Sequence, residues 1–196
     1  MAFDPHQYGP VFTPLLDVTE PNPLGPGDGK LSMLRELRAL SLESAFAPRT
    51  IRDRDMARAC LAGLWLLHDG LDESHKISQE IETPTGSFWH AIMHRREPDY
   101  DNAKYWFRRV GQHGVFEPLH AAARELATGK IDTAAPPDRA ADFLRTQAAW
   151  DPFRFVDLCA AVAAGRSTSE TLCRRIQRRE WELLFDYCFA QAVDAE

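Results

Sequence analysis

Prolines and glycines interrupt residues 30–196 at intervals that suit helices. Pro98 stops a helical pattern that begins near Pro84, and Gly111 stops the pattern that follows. Between such interruptions, apolar residues recur three and four positions apart, which is the spacing of one face of a helix. No stretch alternates polar and apolar residues for long enough to form a strand. The sequence therefore predicts an all-α fold, a single helical domain of about seven to nine helices over residues 30–196.

The helical pattern covers most of this domain, and one segment is expected at its centre. The expected helices are Leu31 to Phe46, Thr50 to His68, Pro84 to Arg96, Asp101 to Val110, Pro118 to Thr128, Arg139 to Trp150, Pro152 to Ala164, and a last helix that reaches about Ala190. Cys60 to Leu67 is apolar on every side, which predicts a central core helix. The polar stretch Leu71 to Glu82 is assigned neither to a helix nor to a loop. Residues 129–138 are expected to form a loop.

Three helix starts carry a capping signal. Thr50 is expected to cap the helix that follows it. Asp151 directly precedes Pro152, which is a typical N-cap followed by proline in the first helical turn. Ser167 and Glu170 have the spacing of a capping box before the last helix.

Residues 1–29 are expected to form an N-terminal arm rather than a long helix. The segment contains six prolines, together with Gly25, Gly27 and Gly29. It also carries aromatic and aliphatic residues such as Phe3 and Phe12, which make it too apolar for a free tail. We expect the arm to pack along the domain surface or on a neighbouring subunit, which would give a homo-oligomer.

Charge and composition exclude several classes of protein. The net charge of −6 at pH 7 argues against general nucleic-acid binding, which favours a basic domain. The longest apolar run, Cys60 to Leu67, is far too short to span a bilayer. Residues 1–10 lack the basic and apolar regions of a signal peptide, so we expect a cytoplasmic location and four reduced, buried cysteines.

His90 and His94 are the most informative polar pair, because they lie four residues apart on one expected helix. At about 100° per residue they are separated by about 40° around the helix axis and about 6 Å along it. This spacing allows two imidazoles to reach one metal ion or one substrate. Phe88 and Ile92 fall on another arc, so we expect the histidines on the open side of an amphipathic helix.

A metal site would need further ligands besides this pair. Candidates are His75, Asp69, Glu97 and His113, but the sequence does not show that they converge. The pair also lacks the glutamate of the H-E-x-x-H motif, and the adjacent Arg95 and Arg96 would place positive charge near a cation. We therefore predict no cofactor, with a metal ion held by His90 and His94 as the alternative.

Basic and polar side chains surround the pair in the sequence. Arginine recognises phosphate and carboxylate groups through its planar fork of donors, while the alternative is a solvated face of ion pairs. The dense polar residues around His75 either are exposed or line a pocket. No G-x-S-x-G, P-loop or G-x-G-x-x-G motif is present, so the hydrolase, nucleotidase and dehydrogenase classes that depend on them have no support.

Two segments carry a family resemblance. SHKISQ and GSFWHAIMHRREPDYDNAKYWFRRVG, within residues 66–118, resemble an uncharacterised family of helical microbial proteins. The resemblance implies that the segment forms a unit, and no activity is attached to that family.

These observations favour binding of a small anionic or polar molecule in a pocket built from residues 68–113, with turnover left open. The candidate catalytic residues are His75, His90 and His94, and the candidate ligand-binding residues are Gln79, Trp89, Arg95, Arg96, Lys104, Tyr105 and Arg108. One alternative is a metal-dependent hydrolase or oxygenase that uses His90 and His94. Another is a non-catalytic protein-interaction module.

Overall fold

A computed structural model describes residues 3–129 and 138–194, and it confirms the all-α fold. The α-helices are α1 (Phe12–Leu16), α2 (Leu31–Ala39), α3 (Leu42–Phe46), α4 (Arg54–Leu67), α5 (Leu71–Ser78), α6 (Pro84–Arg96), α7 (Tyr100–Val110), α8 (Phe116–Thr128), α9 (Phe143–Thr146), α10 (Pro152–Ala163) and α11 (Glu170–Ala192). Short 3₁₀ helices cover Pro5–Tyr8 and Arg139–Ala141. Within the described residues the only β pairing is an isolated bridge between Ile51 and Val193, and no helix is long and apolar enough to cross a membrane.

Side-chain caps explain where several helices begin. Asp151 caps α10 by accepting hydrogen bonds from the backbone N–H groups of the first turn, as its position before Pro152 predicts. α4 is capped by Asp53 rather than by Thr50, because the helix begins at Arg54 and the Asp53 carboxylate accepts the backbone N–H groups of Asp55 and Met56. The capping box predicted before α11 is absent, because Ser167 instead donates a hydrogen bond to Asp138 and leaves Ser169 at the N-cap.

Two other predicted helices have wrong boundaries, and one stretch that the sequence left unassigned is helical. The single helix expected from Leu31 to Phe46 is split, because Ser41 leaves the helical conformation and forms a capping box with Ser44 at the start of α3. The helix expected from Arg139 to Trp150 is reduced to α9 and the 3₁₀ turn before it. The unassigned polar stretch contains α5. Most of the loop expected at residues 129–138 lies outside the described residues.

The core is built around α4 and α6. The C-terminal half of α4 is buried on nearly every side, which confirms its expected central place. α6 packs against α4, α5 and α7, so it too is enclosed. Gly63 permits the close approach of α4 and α6, because a Cβ at this position would lie 2.9 Å from the ring of Trp89. α11 covers the other side of α4 and also contacts α8 and α10.

Residues 3–29 are held on the core by side chains and by hydrogen bonds to their carbonyl groups. Phe12 is fully buried against Phe46 and two aromatic residues of α11. Gln177 of α11 donates to Pro23 O at 3.1 Å, and Arg96 donates to Gly25 O at 3.1 Å. Because a proline-rich segment cannot pair its own backbone in a helix, these side chains supply the missing partners.

Candidate metal centre

Three histidines from two helices converge in the structure. His75 lies on α5, and His90 and His94 lie one turn apart on α6. One potential ligand nitrogen from each lies within 4.8 Å of the others. A Zn²⁺ ion bound at about 2.0–2.1 Å from each nitrogen would need the rings to close together by about 1–1.5 Å.

The turn between α4 and α5 brings His75 to this place. Asp69 adopts a left-handed backbone conformation, with φ of 62°, and redirects the chain into α5. The guanidinium group of Arg96, on α6, forms an ion pair with Asp69 and donates to Leu66 O at 2.8 Å. The same side chain therefore links α6 to the turn that orients α5.

His90 and His94 are buried, with exposed fractions of 2% and 5%. The expectation that they would lie on the open side of an amphipathic helix is wrong, because neighbouring helices enclose α6 on all sides. Neither ring nitrogen of His90 has a hydrogen-bond partner among residues 3–129 and 138–194. A buried polar atom without a partner costs about 1–3 kcal/mol, so an unsatisfied imidazole at this position calls for an explanation.

Burial also keeps these imidazoles neutral at physiological pH. Desolvation, together with the neighbouring His94 and His75, lowers the pKa of His90 to about 3. Desolvation likewise lowers the pKa of His94, although the nearby Glu97 opposes that shift. A neutral imidazole has one nitrogen lone pair available for a metal ion, so both side chains are in the state that coordination requires.

Four residues of the α6–α7 region contact the histidines. The sequence named Glu97 as a candidate further ligand, but it did not assign Trp106, Asn102 or Asp99 to the site. Trp106 stacks on His90 with ring centroids 3.9 Å apart. Asn102 Nδ2 lies 3.2 Å from His94 Nε2. Glu97 Oε2 lies 3.2 Å from His94 Nδ1, and Asp99 Oδ2 lies 4.0 Å from the same nitrogen. Asn102 follows His94 by eight residues, and the α6–α7 turn brings the two side chains together. The sequence did not predict the conformation of that turn, so it could not predict this contact.

The two arginines that follow His94 point to other parts of the molecule. Arg95 is fully buried and pairs with the fully buried Glu180 of α11, while its guanidinium carbon lies 4.7 Å from the centre of the Phe155 ring. Arg96 is occupied by Asp69 and by backbone carbonyl groups. Both guanidinium groups thus have protein partners that hold helices together.

The remaining sequence-predicted ligand residues are dispersed. Lys104 pairs with Asp157 of α10, and Arg108 lies over the Phe153 ring at 5.9 Å. Trp89 is fully buried and donates to Cys188 Sγ at 3.4 Å, whereas Gln79 and Tyr105 are exposed. The structure therefore brings the three candidate catalytic histidines together and gives these ligand-binding candidates separate surroundings.

A separate cleft lies between the α7–α8 turn and the start of α10. It encloses about 760 Å³, and its lining includes His113, His120 and Trp150, whose indole N–H has no partner. None of the three converging histidines lines it. The cleft and the histidine cluster are therefore separate features.

Comparison with known family models, curated proteins and solved structures finds no match to this chain. This result is consistent with the resemblance to an uncharacterised family to which no function is attached.

Proposed function

We propose that this chain is a metal-dependent enzyme in which His75, His90 and His94 bind one divalent transition-metal ion. The observation that carries the proposal is the convergence of three imidazoles whose ligand nitrogens lie within 4.8 Å of one another. The unpartnered nitrogens of His90 support it further, because a bound ion would satisfy one of them.

The ligand types favour particular metals. Imidazole nitrogen suits Zn²⁺ and the neighbouring transition metals, whereas Mg²⁺ and Ca²⁺ prefer oxygen ligands. Three protein ligands leave one tetrahedral position for water or substrate, which is typical of catalytic zinc sites rather than structural ones. His75 is less buried than the two histidines of α6, so we infer that water and substrate enter from the α5 side.

A zinc ion in such a site lowers the pKa of bound water to about 7, which provides a hydroxide nucleophile near neutral pH. Hydrolysis of a small polar substrate is therefore the reaction that this ligand set favours. An anion pocket lined by arginines has less support, because Arg95 and Arg96 are occupied by Glu180 and Asp69. No observation of the described residues favours a purely non-catalytic interaction module over the metal site.

The test is a titration of chelator-treated protein with Co²⁺, a spectroscopic substitute for Zn²⁺, followed by competition with Zn²⁺. We expect one ion per chain and the visible absorption of a tetrahedral site. Alanine substitution of His75, His90 or His94 is expected to lower affinity by about 100-fold or more, beyond the 10–100-fold typical of outer-shell changes. His120→Ala is the matched control, because His120 binds Gln147 O at 3.0 Å and lies outside the cluster.

Absence of stoichiometric binding by the unsubstituted protein would overturn the proposal. It would also fail if the three alanine variants bound the ions as tightly as His120→Ala.

A further inference from the structure

We propose that Glu97 orients His94 for coordination by accepting a hydrogen bond from Nδ1–H, so that the Nε2 lone pair faces the metal ion. This inference rests on the proposed metal site and assigns a positioning residue to it. A neutral histidine carries its proton on one nitrogen only, and the hydrogen bond made by that nitrogen decides which one can bind a metal.

The two ring nitrogens of His94 have different surroundings. Nδ1 faces carboxylate oxygens of Glu97 and Asp99, at 3.2 and 4.0 Å. Nε2 faces the side-chain amide of Asn102 at 3.2 Å. Because ionised carboxylates only accept hydrogen bonds, they favour the tautomer with the proton on Nδ1. That tautomer leaves Nε2 as the ligand atom.

Glu97 is better placed for this role than Asp99. The Asp99 carboxylate already accepts the backbone N–H of Asn102 at 3.2 Å, as the cap of α7. Glu97 has no Lys or Arg partner among the ion pairs of residues 3–129 and 138–194, and its contact is with His94. The two groups lie 3.2 Å apart without the alignment of a full hydrogen bond, so the proposal requires the carboxylate to align with Nδ1–H when the ion binds.

The position of Glu97 on the helix supports the same conclusion. It is the C-cap of α6, and its backbone N–H donates to Met93 O at 3.0 Å. A negative charge at a helix C-terminus is unfavourable with respect to the helix dipole. The Glu97 side chain is 34% exposed and could extend into solvent, yet it lies against His94. A role in orienting His94 explains this arrangement.

A carboxylate in the outer shell fixes the imidazole and raises its basicity, and its loss typically lowers metal affinity by about 10–100-fold. Asn102 lies on the Nε2 side, where the ion would bind. Its amide must therefore move aside or hydrogen-bond a molecule coordinated to the ion.

The experiment compares Glu97→Ala, Glu97→Gln and the control Asp101→Asn, which alters an exposed carboxylate in the first turn of α7. We expect Glu97→Ala to bind Co²⁺ and Zn²⁺ about 10–100-fold more weakly, with unchanged stoichiometry and an unchanged melting temperature of the metal-free protein. Glu97→Gln keeps an oxygen that can accept Nδ1–H, so its affinity should lie between those of Glu97→Ala and the unsubstituted protein. Asp101→Asn should bind normally.

A second readout observes the tautomer directly. Long-range ¹H–¹⁵N spectra of the metal-free protein should show His94 protonated on Nδ1, and Glu97→Ala should shift the population toward the other tautomer. An Nε2–H tautomer in the unsubstituted protein, or equal metal affinity in Glu97→Ala, would overturn the inference while leaving the metal site intact. Failure of the unsubstituted protein to bind metal would instead remove the proposed function itself.

Discussion

A buried imidazole without hydrogen-bond partners destabilises the protein that contains it. His90 has an exposed fraction of 2%, and both of its ring nitrogens lack partners. Its stacking on Trp106 offsets part of this destabilisation, because an aromatic pair contributes about 0.5–1.5 kcal/mol to stability. A residue kept for the fold alone would be better as an aliphatic side chain. His90 therefore allows the structural and functional explanations to be separated by measurement.

Replacing His90 with leucine should stabilise the metal-free protein and abolish metal binding. The leucine side chain has a similar volume and no polar atom to satisfy, so we expect the free energy of unfolding to rise by about 1–2 kcal/mol. Urea denaturation in the presence of a chelator measures this change, and Co²⁺ titration measures the loss of the site. A decrease of more than about 1 kcal/mol would mean that the imidazole supports the fold.

The sequence predicted part of this site. The separation of His90 and His94 by four residues was sufficient to pair them, because helix geometry alone brings such residues together. His75 was named as a candidate, but its convergence depends on the Asp69 turn and on the packing of α5 against α6. Neither of those is a local property of the sequence.

Helix α6 also has one property that the sequence predicted, its bounds, and one that it did not predict, its surroundings. Its bounds agree with the prediction, since Pro84 starts the helix and Pro98 prevents it from continuing. Its surroundings do not agree, because the separate arcs of Phe88 and Ile92 and of the two histidines suggested an amphipathic helix with an open side. The structure instead pairs polar residues of α6 with other elements, through Arg95 to α11 and Arg96 to the α4–α5 turn. Partners 85 and 27 residues away are beyond any local pattern.

The Arg95–Glu180 pair should be one of the strongest links between helices. Both side chains are fully buried, so removal of either partner leaves an uncompensated charge. We expect Arg95→Met and Glu180→Gln each to lower the free energy of unfolding by about 3–5 kcal/mol, and the double variant to lose much less than the sum. A double-mutant cycle by urea denaturation measures the coupling. The exposed pair Arg38–Glu73 provides the control, and Arg38→Met should cost less than about 1 kcal/mol.

Additive losses in the cycle would show that the two residues act independently. Small losses in both single variants would show that solvent reaches the pair. Either result would leave Arg95 available for the anion-binding role that its sequence position first suggested.

The molecule as a whole joins its N-terminal segment and its helices partly through histidines that are buried or half-buried. His68 lies under the first residues of the chain, and its Nε2 is 2.8 Å from Leu15 O. His113 lies among Phe88, Phe116 and Tyr187, and its Nδ1 accepts the backbone N–H of Val115 at 3.2 Å. Desolvation lowers the pKa of both histidines, and that of His113 falls to about 4. Acid should therefore weaken the assembled fold before its carboxylates are protonated.

The pH dependence of stability should reveal this effect at His113. Its pKa is 6.5 in an unfolded chain and about 4 in the folded protein, so the unfolded state binds more protons between these values. The stability that depends on neutral His113 should be fully present above pH 6.5. The free energy of unfolding should then fall as the pH is lowered toward 4. For His113 alone we expect a loss of about 1 kcal/mol between pH 7.5 and pH 5, after allowance for the partial exposure of the ring. His113→Asn keeps an acceptor for Val115 N–H and removes the titrating ring, so urea denaturation at both pH values should show a smaller loss. His6→Asn, at an exposed position, should retain the full loss, and equal losses in the two variants would contradict the assignment.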